Sequence, residues 1–96
     1  MATRIKPSER AAAAAWLRAE YLQRVRAFLA NEADQQSILH WLAGYLQAIA
    51  DTEDEDLENM TANAWLLFSE FDIGNLDDAG LRAEFQALLE EAEATS

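Results

Sequence analysis

The sequence contains no cysteine, one histidine, one proline and three glycines among its 96 residues. Without thiols there is no disulfide framework and no thiolate nucleophile, and a chain held by packing alone fits a cytoplasmic protein. A lone histidine leaves little to catalyse with, so the chain is not expected to be an enzyme. No apolar run approaches the roughly 18 residues that a membrane span needs. The start, MATRIKPSER, lacks the hydrophobic segment of a signal peptide. Most unusual is the scarcity of positive charge. Seven basic residues stand against 18 acidic ones, and no lysine or arginine occurs between Arg26 and Arg82. Such a field repels nucleic acid and anionic membrane and attracts basic proteins.

What is present is apolar and helical in period. Apolar residues make up 51% of the chain, enough for one modest core and too many for disorder by composition. They recur every three to four residues, and no stretch alternates as a strand does. Pro7-Ser8-Glu9 opens a first helix to about Ala30, with Ala11, Ala14, Ala15, Tyr21, Leu22, Val25, Phe28 and Leu29 along one stripe. Asp34 caps a second helix over about 35–50, carrying Ile38, Leu42, Tyr45, Leu46 and Ile49. Asp54 caps a third over about 55–71, with Leu57, Met60, Thr61, Ala64, Leu67, Phe68 and Phe71 facing inward.

Gly74 and Asn75 in DIGN tolerate left-handed backbone and break the chain. Asp77 then caps a fourth helix over about 78–93, with Leu76 placed to pack on Leu81 as a hydrophobic staple. Residues 1–96 are therefore expected to form one all-α domain, a small antiparallel four-helix bundle. The first helix, at about 34 Å, is longer than the others at about 24–27 Å. Its alanine-rich start is expected to overhang them, and Arg18 falls awkwardly inside its apolar stripe.

Metal and cofactor chemistry find no foothold. His40 falls opposite the Leu42–Tyr45–Ile49 stripe and reads as a solvated surface residue. Ser37 lies three residues from it, but no third group orients the pair. A di-iron bundle requires Glu-x-x-His motifs, which are absent. An EF-hand loop starting at Asp51 would need glycine at its sixth position and glutamate at its twelfth. Asp56 and Ala62 stand there instead. No metal or cofactor is expected.

The stretch DTEDEDLENMT, residues 51–61, holds six carboxylates between Asp51 and Glu58. Asp54, Glu55 and Asp56 suit a helix N-terminus, whose partial positive charge favours anions. Asp51 follows the second helix's C-terminal end, where the dipole opposes it, and Glu53 and Glu58 have no evident local partner. This surplus is the candidate bait for a basic protein. Leu66 lies outward among Asn59, Asn63 and Glu70, as an apolar anchor within a charged interface would. The candidate partner-binding residues are thus Asp51, Glu53, Glu55, Asp56, Glu58, Leu66 and Glu70. Trp41 and Trp65 read as core-edge residues. Trp16 points away from the Leu22–Val25–Leu29 stripe and is a candidate for self-association into a homodimer, through it and the alanine-rich segment or through Leu66, with the basic N-terminal quarter meeting the acidic surface of a second copy.

The layout of VRAFLANEADQQSILHWLAGYL followed, after an acidic gap, by AWLLFSEFDIGNLDDAGLRAEFQALL resembles the colicin D-type immunity proteins, over roughly residues 22–90. The corresponding stretches are Phe68 to Asp72, an aromatic–aspartate helix end, and Leu81-Arg82 through Leu88-Leu89 in the last helix. No inhibitory residue of that family matches individually. The resemblance implies a small acidic helical inhibitor of a ribonuclease toxin whose basic cleft grips tRNA phosphates, the acidic surface acting as a nucleic-acid mimic. A phage-encoded anti-defence inhibitor (anti-CRISPR-like) and a self-associating helical adaptor fit the same composition.

Overall fold

The computed structural model describes residues 7–94, leaving the first six and last two residues of the expected domain outside it. Four helices follow one another: α1 Pro7–Leu29, α2 Gln35–Thr52, α3 Glu55–Asp72 and α4 Asp78–Ala94, with no strand among the described residues. The all-α expectation holds, with α2 running two residues past Ala50 and α3 and α4 one residue past their expected ends.

The local reasons are visible at each boundary. Asp34 accepts a hydrogen bond from the Ser37 amide at 3.2 Å, Asp54 from that of Leu57 at 2.9 Å, and Asp77 from that of Gly80 at 2.7 Å. Each caps amides that a helix start leaves unpaired. Left-handed residues end three helices: Asn31 at φ 62°, Glu53 at φ 55° and Gly74 at φ 85°. After α3, the Asn75 amide reaches back to the Glu70 carbonyl at 2.9 Å and that of Gly74 to Phe71 at 3.1 Å. This closes the helix in the Schellman pattern that Gly74 allows.

The helices bury one continuous apolar cluster. Its fully enclosed side chains include Tyr21 and Val25 from α1, Ile38 and Leu42 from α2, Leu57 from α3, and Leu81 and Phe85 from α4. Phe85 meets Phe28 edge-on at 5.8 Å and Phe68 at 5.3 Å between ring centroids, tying α1, α3 and α4 together. Side chains of this size contribute about 1.5–3 kcal/mol each on burial. Of the four more extensive helix contacts, α1 with α2 is the largest and α2 with α3 the smallest.

That thin contact accounts for one departure from the sequence reading. Leu46, expected in the α2 stripe, is 58% exposed. It lies about 140° round the helix from Trp41, which packs on Tyr21 of α1. Its flank of α2 is therefore turned away from the main contact. In α1, Ala11 and Ala15 are exposed and Leu17 is buried in their place. Leu76 is half-buried, with its side chain beside Gly80 in the first turn of α4.

Arginines tie α1 to the rest. Arg10 pairs with Glu53 beyond the end of α2, and Ala14 and Leu17 are buried beside it. The alanine-rich turns described thus lie against the α2–α3 corner instead of overhanging it. Arg18 bonds the Ala92 carbonyl at 2.7 Å, near the end of α4. Its place in the apolar stripe follows: the stem lies along the core and the guanidinium caps a carbonyl where the helix dipole favours a cation. Arg24 lies over the Trp41 ring at 5.6 Å, and Arg26 pairs with Glu93 at 3.2 Å. Arg82 bonds the Phe28 carbonyl at 2.9 Å and Asp78 at 3.0 Å.

Candidate acidic protein-binding face

The surplus carboxylates of the corner are placed by its turn. Thr52 is buried; its hydroxyl donates to the Ile49 carbonyl at 2.7 Å and accepts from the Asp54 amide at 3.2 Å. This one side chain joins the end of α2 to the cap of α3, so the carboxylates on either side are held in fixed relation. Asp51, in the last turn of α2, accepts from Gln47 at 2.9 Å. Glu53 carries the ion pair with Arg10 while its own side chain stays 70% exposed. Two of the three surplus carboxylates therefore have partners that lie outside the acidic stretch, one of them 43 residues away. Glu55, Asp56 and Glu58 are exposed along the first turn of α3.

Farther along α3, Leu66 is 57% exposed and Glu70 is half-buried, accepting from Asn75 at 2.7 Å. Ile73, which the sequence reading left aside, is more exposed still, at 71%. The signal for it was available: it falls seven residues after Leu66, two turns on the same face. Of the two tryptophans expected at the core edge, Trp65 is instead exposed, at 36%, and Trp41 is buried.

No family model, curated protein or solved structure matches the chain. Its chemistry must be read from its own surface.

A groove of about 280 Å³ runs between α3 and α4, lined by Asp56, Asn59, Met60 and Asn63 on one side and by Leu88, Glu91 and Ala92 on the other. Arg18 reaches into it from α1. A second groove of about 250 Å³, between α1 and the start of α3, shares Arg18 and Asp56 with the first. Within them the Arg18 guanidinium is already committed to Ala92. Charge divides sharply along the chain. Residues 7–53 hold four arginines and six carboxylates, net −2; residues 54–94 hold one arginine and twelve carboxylates, net −11. That arginine, Arg82, is itself bound to Asp78 and lies over the Phe28 ring at 4.4 Å.

Trp16 is on another part of the surface. It is 51% exposed, and its ring meets Tyr45 of α2 edge-on at 5.7 Å. Tyr45 in turn stacks on Trp41, and Trp41 on Tyr21. Trp16 is thus the outer end of an aromatic row between α1 and α2. His40 is exposed on α2. Among the described residues no group of three or more His, Asp or Glu side chains is gathered as a metal site, and no helix is long and apolar enough to cross a membrane.

Proposed function

We propose that the chain is an acidic protein-binding inhibitor, immunity-like in action, that occupies a basic nucleic-acid-binding or nuclease site on a partner protein. One observation carries this reading: all five arginines among the described residues are engaged within the fold. The α3–α4 side is left with a carboxylate surface offset in part, by Arg26 at Glu93, Arg82 at Asp78 and Arg18 at the end of α4, while α3 itself carries no lysine or arginine. A rigid array of carboxylates presents to a phosphate-binding cleft the charge that nucleic acid would, and attraction over such distances raises association rates toward about 10⁸ M⁻¹s⁻¹ at low salt. The resemblance to colicin D-type immunity proteins and the cytoplasmic setting belong to this proposal. So does an antiparallel arrangement of the helices. Arg10 near the start of α1 on Glu53 past the end of α2 supports it, as does Phe28 near the end of α1 on Arg82 and Phe85 early in α4.

The engagement of Arg10, Arg18, Arg24 and Arg26 weighs against self-association through a basic N-terminal quarter; Arg4 and Lys6 lie outside the described residues. A phage anti-defence inhibitor differs from an immunity protein only in the partner blocked.

The test is capture from a lysate of the source cells on the immobilised protein at about 50 mM salt, followed by elution at about 200 mM. Eluted nuclease or nucleic-acid-binding activity is then titrated with the free protein. Salt-released activity that the wild type inhibits, and the Glu55→Gln/Asp56→Gln/Glu58→Gln variant inhibits poorly, supports the reading. Equal inhibition by that variant, or no retained nucleic-acid-binding protein, overturns it.

A further inference from the structure

The outer face of α3 carries a pattern that the core does not need. Glu55, Asn59, Ala62, Leu66, Ser69 and Ile73 are spaced four, three, four, three and four residues apart, and all six are exposed. The Ile73 amide still bonds the Ser69 carbonyl at 3.1 Å, so the helical register persists to the end of the series. Residues so spaced lie in one line along a helix, and such a line becomes a seam for a second helix where large apolar side chains recur on it, as exposed Leu66 and Ile73 do one heptad apart. Here it faces solvent, on the side of α3 opposite buried Leu57, Ala64 and Phe68.

The seam is graded along its length. Its first positions are an acid and an amide. The later ones set Leu66 and Ile73, about 10 Å apart along the axis, between the small side chains of Ala62 and Ser69, over which another helix can approach closely. Glu58 and Glu70 flank the seam on opposite sides, each about 60° round the helix.

We infer that this face of α3 docks a basic amphipathic helix of the partner protein, with Leu66 and Ile73 as apolar anchors and Glu55, Glu58 and Glu70 receiving its lysines or arginines. Charge complementarity selects the occupant. α3 contains no lysine or arginine, so a second copy laid along this face in either direction would set carboxylates against carboxylates. A helix with basic residues beside its apolar stripe meets no such opposition. The inference rests on the acidic-inhibitor reading above and deepens it, by naming the partner's element and the anchors that give it register.

The test uses two synthetic peptides of identical lysine and leucine composition, each about 18 residues to match α3. One carries leucines at alternating three- and four-residue spacing; the other is scrambled to remove the stripe. Binding at about 50 mM salt is measured by titration calorimetry for the wild type, for Leu66→Ser/Ile73→Ser, and for Glu55→Gln/Glu58→Gln/Glu70→Gln. Both anchors are exposed, so the fold is expected to persist, which circular dichroism checks. The striped peptide is expected to bind the wild type about tenfold more tightly than the scrambled one. The serine variant is expected to lose that preference, and the glutamine variant to lose affinity for both peptides.

Equal binding of the two peptides, or a serine variant that keeps the preference, overturns the seam and leaves the acidic reading standing. Failure of both peptides to bind the wild type overturns both. A wild-type dimer in sedimentation that Leu66→Ser/Ile73→Ser abolishes shows that a second copy occupies the face, and overturns the choice of partner.

Discussion

The α1–α2 side and the α3–α4 side of the molecule spend their side chains differently. On the first, most arginines and aromatic rings pack along the α1–α2 contact: Arg24 lies over Trp41, and Tyr45, Trp41 and Tyr21 form a row whose outer end, Trp16, is exposed, as is Leu46. On the second, apolar and charged groups turn outward as well, with Leu66 and Ile73 exposed beside the carboxylates of residues 54–94, a stretch of net charge −11. The first is organised to hold the fold. The second carries more exposed apolar and charged chemistry than folding asks for, and binding a partner gives that excess a use.

The tryptophans offer the widest test of this division. Trp41→Ala, on the buried side, is expected to lower unfolding stability by about 3–5 kcal/mol. Trp65→Ala, from a residue 36% exposed, is expected to cost well under half of that. Urea unfolding followed by circular dichroism measures both. Equal losses would mean that the edge of α3 is as structural as the α1–α2 seam, and the contrast would fail.

Tyr21 sharpens the comparison from inside. Its ring is buried, and its hydroxyl has no hydrogen-bond partner among the described residues. Burial also pushes its ionisation well above the ordinary tyrosine value. Tyr21→Phe removes an unsatisfied polar atom and is expected to raise stability by about 1 kcal/mol. The sign of the pH effect follows from linkage. Above about pH 10 the unfolded tyrosine loses its proton while the folded one keeps it, so wild-type stability falls as pH rises through that range. The phenylalanine variant should lack this component. A destabilised Tyr21→Phe would show that the hydroxyl is satisfied after all.

Smaller effects separate carboxylates that the fold uses from those it tolerates. Asp54→Ala removes the α3 cap and is expected to cost about 1 kcal/mol. Asp51→Asn, at the unfavourable end of the α2 dipole, is expected to gain a few tenths of a kcal/mol even though Gln47 bonds it. Thermal melts of the two variants should therefore move in opposite directions. A clear loss in Asp51→Asn would make that carboxylate structural and remove it from the binding face.

These assignments also mark what the sequence could yield. Caps were legible at Asp34, Asp54 and Asp77 because each bonds an amide only three residues away. The wheel placed Val25, Leu42, Phe68 and Phe85 in the core because each lies near the middle of its stripe. It misplaced Leu46 because the width of an apolar arc is local, whereas the depth of its burial depends on how closely the next helix approaches. It left Arg18 unexplained because a wheel gives the direction of a Cβ and not the destination of a long side chain. Arg10 with Glu53 was beyond its reach altogether, being a contact made only once α1 and the corner have met. On the candidate face the acidic first turn of α3 was legible directly, as was Leu66. Ile73 was overlooked because it follows the helix as expected, in a segment read as a turn.

Arg18 has a consequence for motion. A helix ordinarily frays from its last turn, where carbonyls lack partners. In this molecule the Ala92 carbonyl is held by a side chain from the middle of α1. Opening of that turn is thereby coupled to the packing of α1, and its amides should exchange with solvent more slowly than those of an untethered helix end. The C-terminal edge of the acidic surface thus behaves as part of the scaffold, and a partner that docks across it meets charges already held in place.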